Sequence, residues 1–392
     1  MLNKFLVFSL SIFLLLFHSC SDDPSSVGLD LLEQDFLKID TVNSADGNYT
    51  QVSSYFKKVV SLGNSSRLLV GRKGDYTAHT IMNFAFFLPD SIKQDFNDGN
   101  LVIESAEIEM FPNYVFTLYD SLAAFDFTVR EVLSNWGSSG FTADSFNTLQ
   151  YSSDDLILDK SFTDSIYSFR INSDVARKWI AFAIKPDSLT NYGMLISPTL
   201  GTEKIVGFLA FDPFSDTATK LKVIVSKQGS YVDTLNGFIA SDISVLLGDL
   251  PASEPDFMLV QSSLAINSKL YFDLSSLPNN IVINKATLVL HSDSSKNLFG
   301  SAFENSLVAL LITNSQTNEV NNELFIRLAH NNSRYSGDIT PMLRKWLRDD
   351  DNYGMIIRSG SEQVGAELYY LYGSLAADLT KRPYLEIVYS YN

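Results

Sequence analysis

The chain has 392 residues, 45% of them apolar and 12% aromatic, and a formal net charge of −16 from 45 acidic and 29 basic residues. This composition supplies apolar material for one or two sizeable cores and excludes a disordered chain. The acidity, with no basic stripe to offset it, excludes the electrostatic footprint that nucleic acid or anionic lipid headgroups require.

Residues 1–19 read as a signal peptide: Lys4 gives a short basic start, and Phe5–Phe17 is an apolar run too short to span a bilayer. The run ends at Cys20, the only cysteine in the chain. One cysteine cannot form an internal disulfide. Its place behind Ser19 resembles a bacterial lipobox, relaxed at Phe17–His18, so acylation at Cys20 is expected. Residues 20–44 then read as a polar tether, and "SDD" at 21–23 resembles the surface-export signal of Bacteroidota lipoproteins. The expected location is the outer membrane or cell surface, with the membrane as a partner through the lipid anchor.

A repeat organises the rest. "IMNFAFFLPDSI" (81–92) resembles "KLYFDLSSLPNN" (269–280), and "LVIESAEIEMF" (101–111) matches "IVINKATLVLH" (281–291). "RINSDVARKW" (170–179) matches "GDITPMLRKW" (337–346), each followed by "NYGM" at 191–194 and 352–355. "KLKVIV" (220–225) matches "YLEIVY" (384–389). Five blocks in one order mark a tandem duplication, with domains at 45–228 and 229–392.

Alternating runs such as "AEIEMF" and "LEIVY", punctuated by short turns, predict an all-β fold of two tandem jelly-roll-like β-sandwich domains. One short helix is expected in each, capped by Ser173 or Thr340, with Pro341 in the first turn. Trp179 and Trp346 fall on the apolar side of these helices and read as packing anchors. Tyr192 and Tyr353 belong to a turn that leads into a strand. The segment ahead of that turn differs between repeats, "FAIKPDSLT" against "RDDD", and is the expected place of divergence.

No catalytic motif is present. His79, His291 and His330 are scattered, and no nucleophile elbow, phosphate-binding loop or dinucleotide fingerprint occurs. No motif demands a cofactor. Calcium is the ion that the Asp349, Asp350 and Asp351 loop would suit, although the spacing is not that of a calcium loop, and solvated turns are the simpler reading. In "AELYYLYGS" (366–374), Tyr369 and Tyr372 lie on opposite strand faces, and whichever is exposed offers a ring for sugar stacking.

The blocks at Ile283–Leu290, Arg344–Trp346, Asn352–Ile357 and Arg382–Tyr389, and their counterparts at Ile103–Met110, Arg177–Trp179 and Asn191–Ile196, resemble the DNRLRE-type domain. The first repeat lacks the Arg-Pro-Tyr before its last strand, and the hexamer that names the family is absent. The resemblance implies jelly-roll sandwiches akin to carbohydrate-binding modules. The expected function is therefore a non-catalytic surface lipoprotein that binds or adheres through its sandwiches, with glycan the preferred partner. The alternative is a structural or assembly lipoprotein that contacts a surface protein, and a weaker one is a polysaccharide-degrading enzyme.

Overall fold

The computed structural model describes residues 37–391 apart from 47–48, 59–62, 64, 117–122, 138, 164, 212–216 and 349–350. Cys20, Asp349 and Asp350 thus lie outside the described residues. The chain begins with β1 (Lys38–Asn43), β2 (Gln51–Lys57), β3 (Arg67–Lys73) and β4 (Tyr76–Phe86). Next come α1 (Asp90–Asn97), β5 (Val102–Met110), β6 (Pro112–Phe116), β7 (Phe127–Glu131) and α2 (Ala143–Asn147). They are followed by β8 (Ile157–Phe162), β9 (Tyr167–Ile171), α3 (Ser173–Ile184), β10 (Met194–Pro198), β11 (Ile205–Leu209) and β12 (Lys220–Lys227).

The remainder starts with β13 (Tyr231–Leu247), β14 (Phe257–Gln261), β15 (Ile266–Phe272), β16 (Val282–His291) and β17 (Ser306–Asn314). It closes with β18 (Glu319–Asn331), β19 (Arg334–Asp338), α4 (Thr340–Arg348), β20 (Met355–Ser359), β21 (Leu368–Tyr372) and β22 (Tyr384–Tyr391).

The strands form two large antiparallel sheets. One runs β6-β11-β3-β4-β13-β12-β5-β9-β8, with β10 bridging β4 and β7. The other runs β1-β22-β16-β19-β18-β17-β20-β15-β14-β21, with β2 added on β15. Period-two patterning sends Ala106, Ile108 and Met110 of β5 inward, and likewise Ala286, Leu288 and Leu290 of β16. Each sheet folds over a core of its own. The first holds Phe84, Val129, Phe169, Trp179 and Val223; the second holds Leu270, Tyr335, Trp346, Ile357 and Ile387. The fold is all-β, with two sandwiches.

The repeat is visible in the pairing. β5 lies between β9 and β12, as β16 lies between β19 and β22; β10 pairs with β4 and β7, as β20 pairs with β15 and β17. The boundary between sandwiches differs from the sequence expectation, however. β1, which extends the first repeat back ahead of residue 45, and β2 complete the second sandwich, on β22 and β15. β13 opens the second repeat but completes the first sandwich, pairing with β12 over Tyr231–Phe238 and with β4 over Gly237–Leu247, the latter ladder bulged at Ile239/Ser241. The domains at 45–228 and 229–392 are therefore units of sequence that have exchanged their leading strands. The tether expected over 20–44 also ends early, because Lys38–Asn43 is already strand.

The exchanged strands carry a short signal of their own: "IDTVN" (39–43) against "VDTLN" (232–236). Their registers agree. Ile39 lies opposite Ser390 and Val42 opposite Ile387, just as Val232 lies opposite Ser226 and Leu235 opposite Val223. In both, the Asp carboxylate accepts the next backbone N–H, from Thr41 at 2.7 Å and from Thr234 at 2.8 Å.

A third apolar cluster joins the sandwiches, with Leu69, Tyr114, Phe116 and Leu246 from the first and Leu259, Ile266 and Leu368 from the second. At its edge the buried Tyr114 hydroxyl donates to Glu367 Oε1 (2.8 Å) and accepts the Ala366 N–H (3.0 Å). The Arg67 guanidinium covers the Tyr114 ring at 4.4 Å and donates to the Val364 carbonyl at 2.7 Å.

The helices differ in detail from expectation. Asn172, not Ser173, caps α3 by accepting the Asp174 N–H at 2.9 Å. The Thr340 hydroxyl instead accepts the Ala286 N–H of β16, while Asp338 accepts the Thr340 N–H at 2.9 Å. The "FAI" of the divergent stretch continues α3 rather than forming a loop. The first repeat also has α1 and α2, where one helix was expected. In α1, Ile92 is buried and Phe96 packs on the first core.

Candidate ligand-binding surface

The two NYG turns show what that repeated stretch does. Gly193 and Gly354 have φ of +72° and +84°, a region that suits glycine. A side chain there would meet a strand backbone, since a Cβ would fall 2.1 Å from Met82 O or 2.4 Å from Leu270 O. Asn191 and Asn352 close the turns by accepting the Gly193 and Gly354 N–H groups at 2.8 and 3.0 Å. Tyr192 and Tyr353 pack on the outer sides of the sheets, against separate small clusters. The turn launches β10 and β20.

Trp179 and Trp346 are buried in the two cores, with Trp179 5.8 Å from Phe84. Asp351 accepts a hydrogen bond from Tyr353 Oη at 2.7 Å; its neighbours Asp349 and Asp350 lie outside the described residues. Among the described residues, no three His, Cys, Asp or Glu side chains converge as a metal site.

The expectation for Tyr369 is corrected. It is fully buried, with Phe299 at 5.0 Å and Tyr335 at 6.0 Å, and cannot stack on a ligand without opening the second core. Burial pushes its phenol pKa up. The opposite face of β21 is different. Tyr370 and Tyr372 are half-buried, and Phe257 of the paired β14 lies between them, with ring centroids 5.7 and 5.1 Å away. Lys296 stands over Phe257 at 4.6 Å and Tyr370 at 5.4 Å and pairs with Glu254. Its hydrogen bond to Glu254 raises the ammonium pKa, which keeps the side chain cationic.

β21 can present this face because of its neighbours. It ends the sheet path, and Asn297 from the flanking 292–298 segment accepts the Tyr370 N–H at 2.8 Å. In the first sandwich the register places Arg67, Gly207 and Leu209 where the second has Phe257, Tyr370 and Tyr372. The aromatic group is thus a property of one sandwich. Sequence alternation identified β21 as aromatic on both faces; Phe257 and Lys296 were missed because only strand pairing brings them there.

The first sandwich diverges elsewhere. Its β7–β8 connection covers residues 132–156, against 315–318 for β17–β18. Beside it lies a cleft of about 150 Å³ lined by Glu131, Lys178, Trp179 and the Asn191–Gly193 turn. Asn191 Nδ2 is buried there without a partner, whereas Asn352 Nδ2 donates to Phe272 O at 2.8 Å.

A surface feature is common to both sandwiches. Across β5, β12 and β13, Val102 and Val232 flank Ser226; across β16, β22 and β1, Val282 and Ile39 flank Ser390. Exposures are 47% and 74% in the first pair and 59% and 69% in the second. The serines bond Glu104 and Asn284 at matching positions. No family model, curated protein or solved structure matches the chain.

Proposed function

We propose that the protein is a non-catalytic, lipid-anchored surface module that binds glycan through the Phe257, Tyr370 and Tyr372 group. The observation that carries this reading is the clustering of three partly exposed rings beside the Lys296–Glu254 ion pair. Aromatic faces suit the C–H side of a sugar ring, and the phenols and charged pair suit its hydroxyls. The resemblance to carbohydrate-binding domains supports the same class.

A glycan array of the soluble chain is the direct test, with Tyr372→Ala and Phe257→Ala as companions. Binding to defined glycans that falls at least tenfold in both variants is expected. Absence of binding to neutral and acidic glycans alike would sink the reading.

One observation favours a second reading, contact with a surface protein. Exposed apolar pairs recur at equivalent places, which a single-sandwich ligand site does not explain. Lysine at Val102, Val232, Val282 and Ile39 is then expected to abolish in-cell crosslinks while leaving the thermal midpoint unchanged.

A further inference from the structure

Each sandwich is finished by the leading strands of the other repeat, in one register, and the same five-residue pattern identifies both donors. β1 holds on largely through main-chain pairing, whereas β13 buries Leu235, Ile239, Ile243 and Val245 in the first sandwich. β1 is exposed along most of its length, and only Val42 reaches the second core. β2 adds Tyr55, packed on the cluster between sandwiches, and Phe56, packed on the outer side of the second sheet. The Ser44 hydroxyl accepts the Leu385 N–H at 2.7 Å, and Ser53 and Ser374 exchange hydroxyl-to-backbone bonds at 3.0 and 2.8 Å. None of these contacts depends on donor and acceptor belonging to one molecule.

We propose that β1 and β2 of one copy complete the second sandwich of another, joining copies head to tail. A chain that finishes its own second sandwich is a closed ring of two repeats. Opening that ring leaves donor strands at one end and the vacated edges of β22 and β15 at the other. Such a contact is heterologous: the end that accepts is not the end that donates, so it extends until it closes. Recognition is strand addition, in which backbone pairing gives affinity and alternate side chains give specificity.

The covalent connection gives the intramolecular donor an effective concentration of about millimolar order, so dilute chains stay closed and crowded ones exchange. The proposal stands on strand register and needs neither glycan binding nor a lipid anchor.

Crosslinking tests it in the full chain carrying Cys20→Ala. Thr41 and Val388 face one another on the outer side of the β1–β22 pair. Thr41→Cys and Val388→Cys are placed in separate chains with different tags, refolded together from micromolar to millimolar concentration, and treated with a short bis-maleimide. The expected result is a dual-tag product that rises about tenfold over that range, with larger oligomers above it. A chain carrying both substitutions reports correct pairing by crosslinking internally when dilute. Internal crosslinking of that chain with no dual-tag product at the highest concentration would overturn the proposal. Equal crosslinking of Thr41→Cys to Ile224→Cys would also overturn it, since β1 would then not distinguish β22 from β12.

Discussion

Val42 lies opposite Ile387 in the antiparallel β1–β22 pair, so a residue of the first repeat packs into the core of the second sandwich. Leu235 stands opposite Val223 and does the reverse. A charge at either position has no partner within the core it enters.

Val42→Asp and Leu235→Asp are therefore expected to loosen opposite sandwiches, each by about 3 kcal/mol. Hydrogen exchange resolves them. Val42→Asp should raise exchange in β22 and β16 and leave β12 protected, while Leu235→Asp should open β12 and β5. Loosening confined to the mutated residue's own repeat would refute the exchange.

The NYG turns give a second expectation. Gly193→Ala and Gly354→Ala each combine a left-handed φ with a Cβ placed on a strand carbonyl, and should cost about 3 kcal/mol or more. Gly201→Ala, with open space around it, serves as the control and should be near neutral in urea unfolding.

Asp242 supplies a pH dependence. It is buried in β13, its Oδ2 has no hydrogen-bond partner, and desolvation pushes its pKa up to about 6 from 3.8. Between about pH 4 and pH 6 the folded carboxyl keeps a proton that the unfolded chain has released, so stability falls as pH rises through that window. Asp242→Asn should stabilise the protein by about 2 kcal/mol at pH 7, and the gap should close below pH 4. A gap independent of pH would show that ionisation is not its cause.

The joint between sandwiches can be tested through Tyr114. Tyr114→Phe keeps the ring against Arg67 but removes the hydroxyl that serves Glu367 and the Ala366 N–H. Burial already pushes the Glu367 pKa up, and the change leaves its Oε1 without that donor. A loss of about 2 kcal/mol in chemical unfolding is expected.

Much of the fold is legible because its signals are periodic or local. Alternation exposes β5, β16 and β22, the Trp spacing on α3 and α4 is helical, and Asn-x-Gly is a turn by its own geometry. The strand exchange is hidden because alternation defines faces and says nothing about which sheet a strand enters. "IDTVN" and "VDTLN" hold the clue, but the pattern is short and its first copy sits in what reads as tether. The candidate surface was half legible for a related reason. β21 is aromatic on both faces, one buried in the second core and the other only partly packed on the cluster between sandwiches, so alternation could not separate Tyr369 from Tyr370.

The pairing of β1 with β22 also sets an order in time. Lys38 meets Tyr391, so among the described strands the first to be synthesised finds its partner only when the last has been made. The first sandwich is complete once β13 has emerged, at Leu247. The second must hold its edges open until β22 has emerged, and closure by so distant a contact is expected to be slower than the pairing of neighbouring strands.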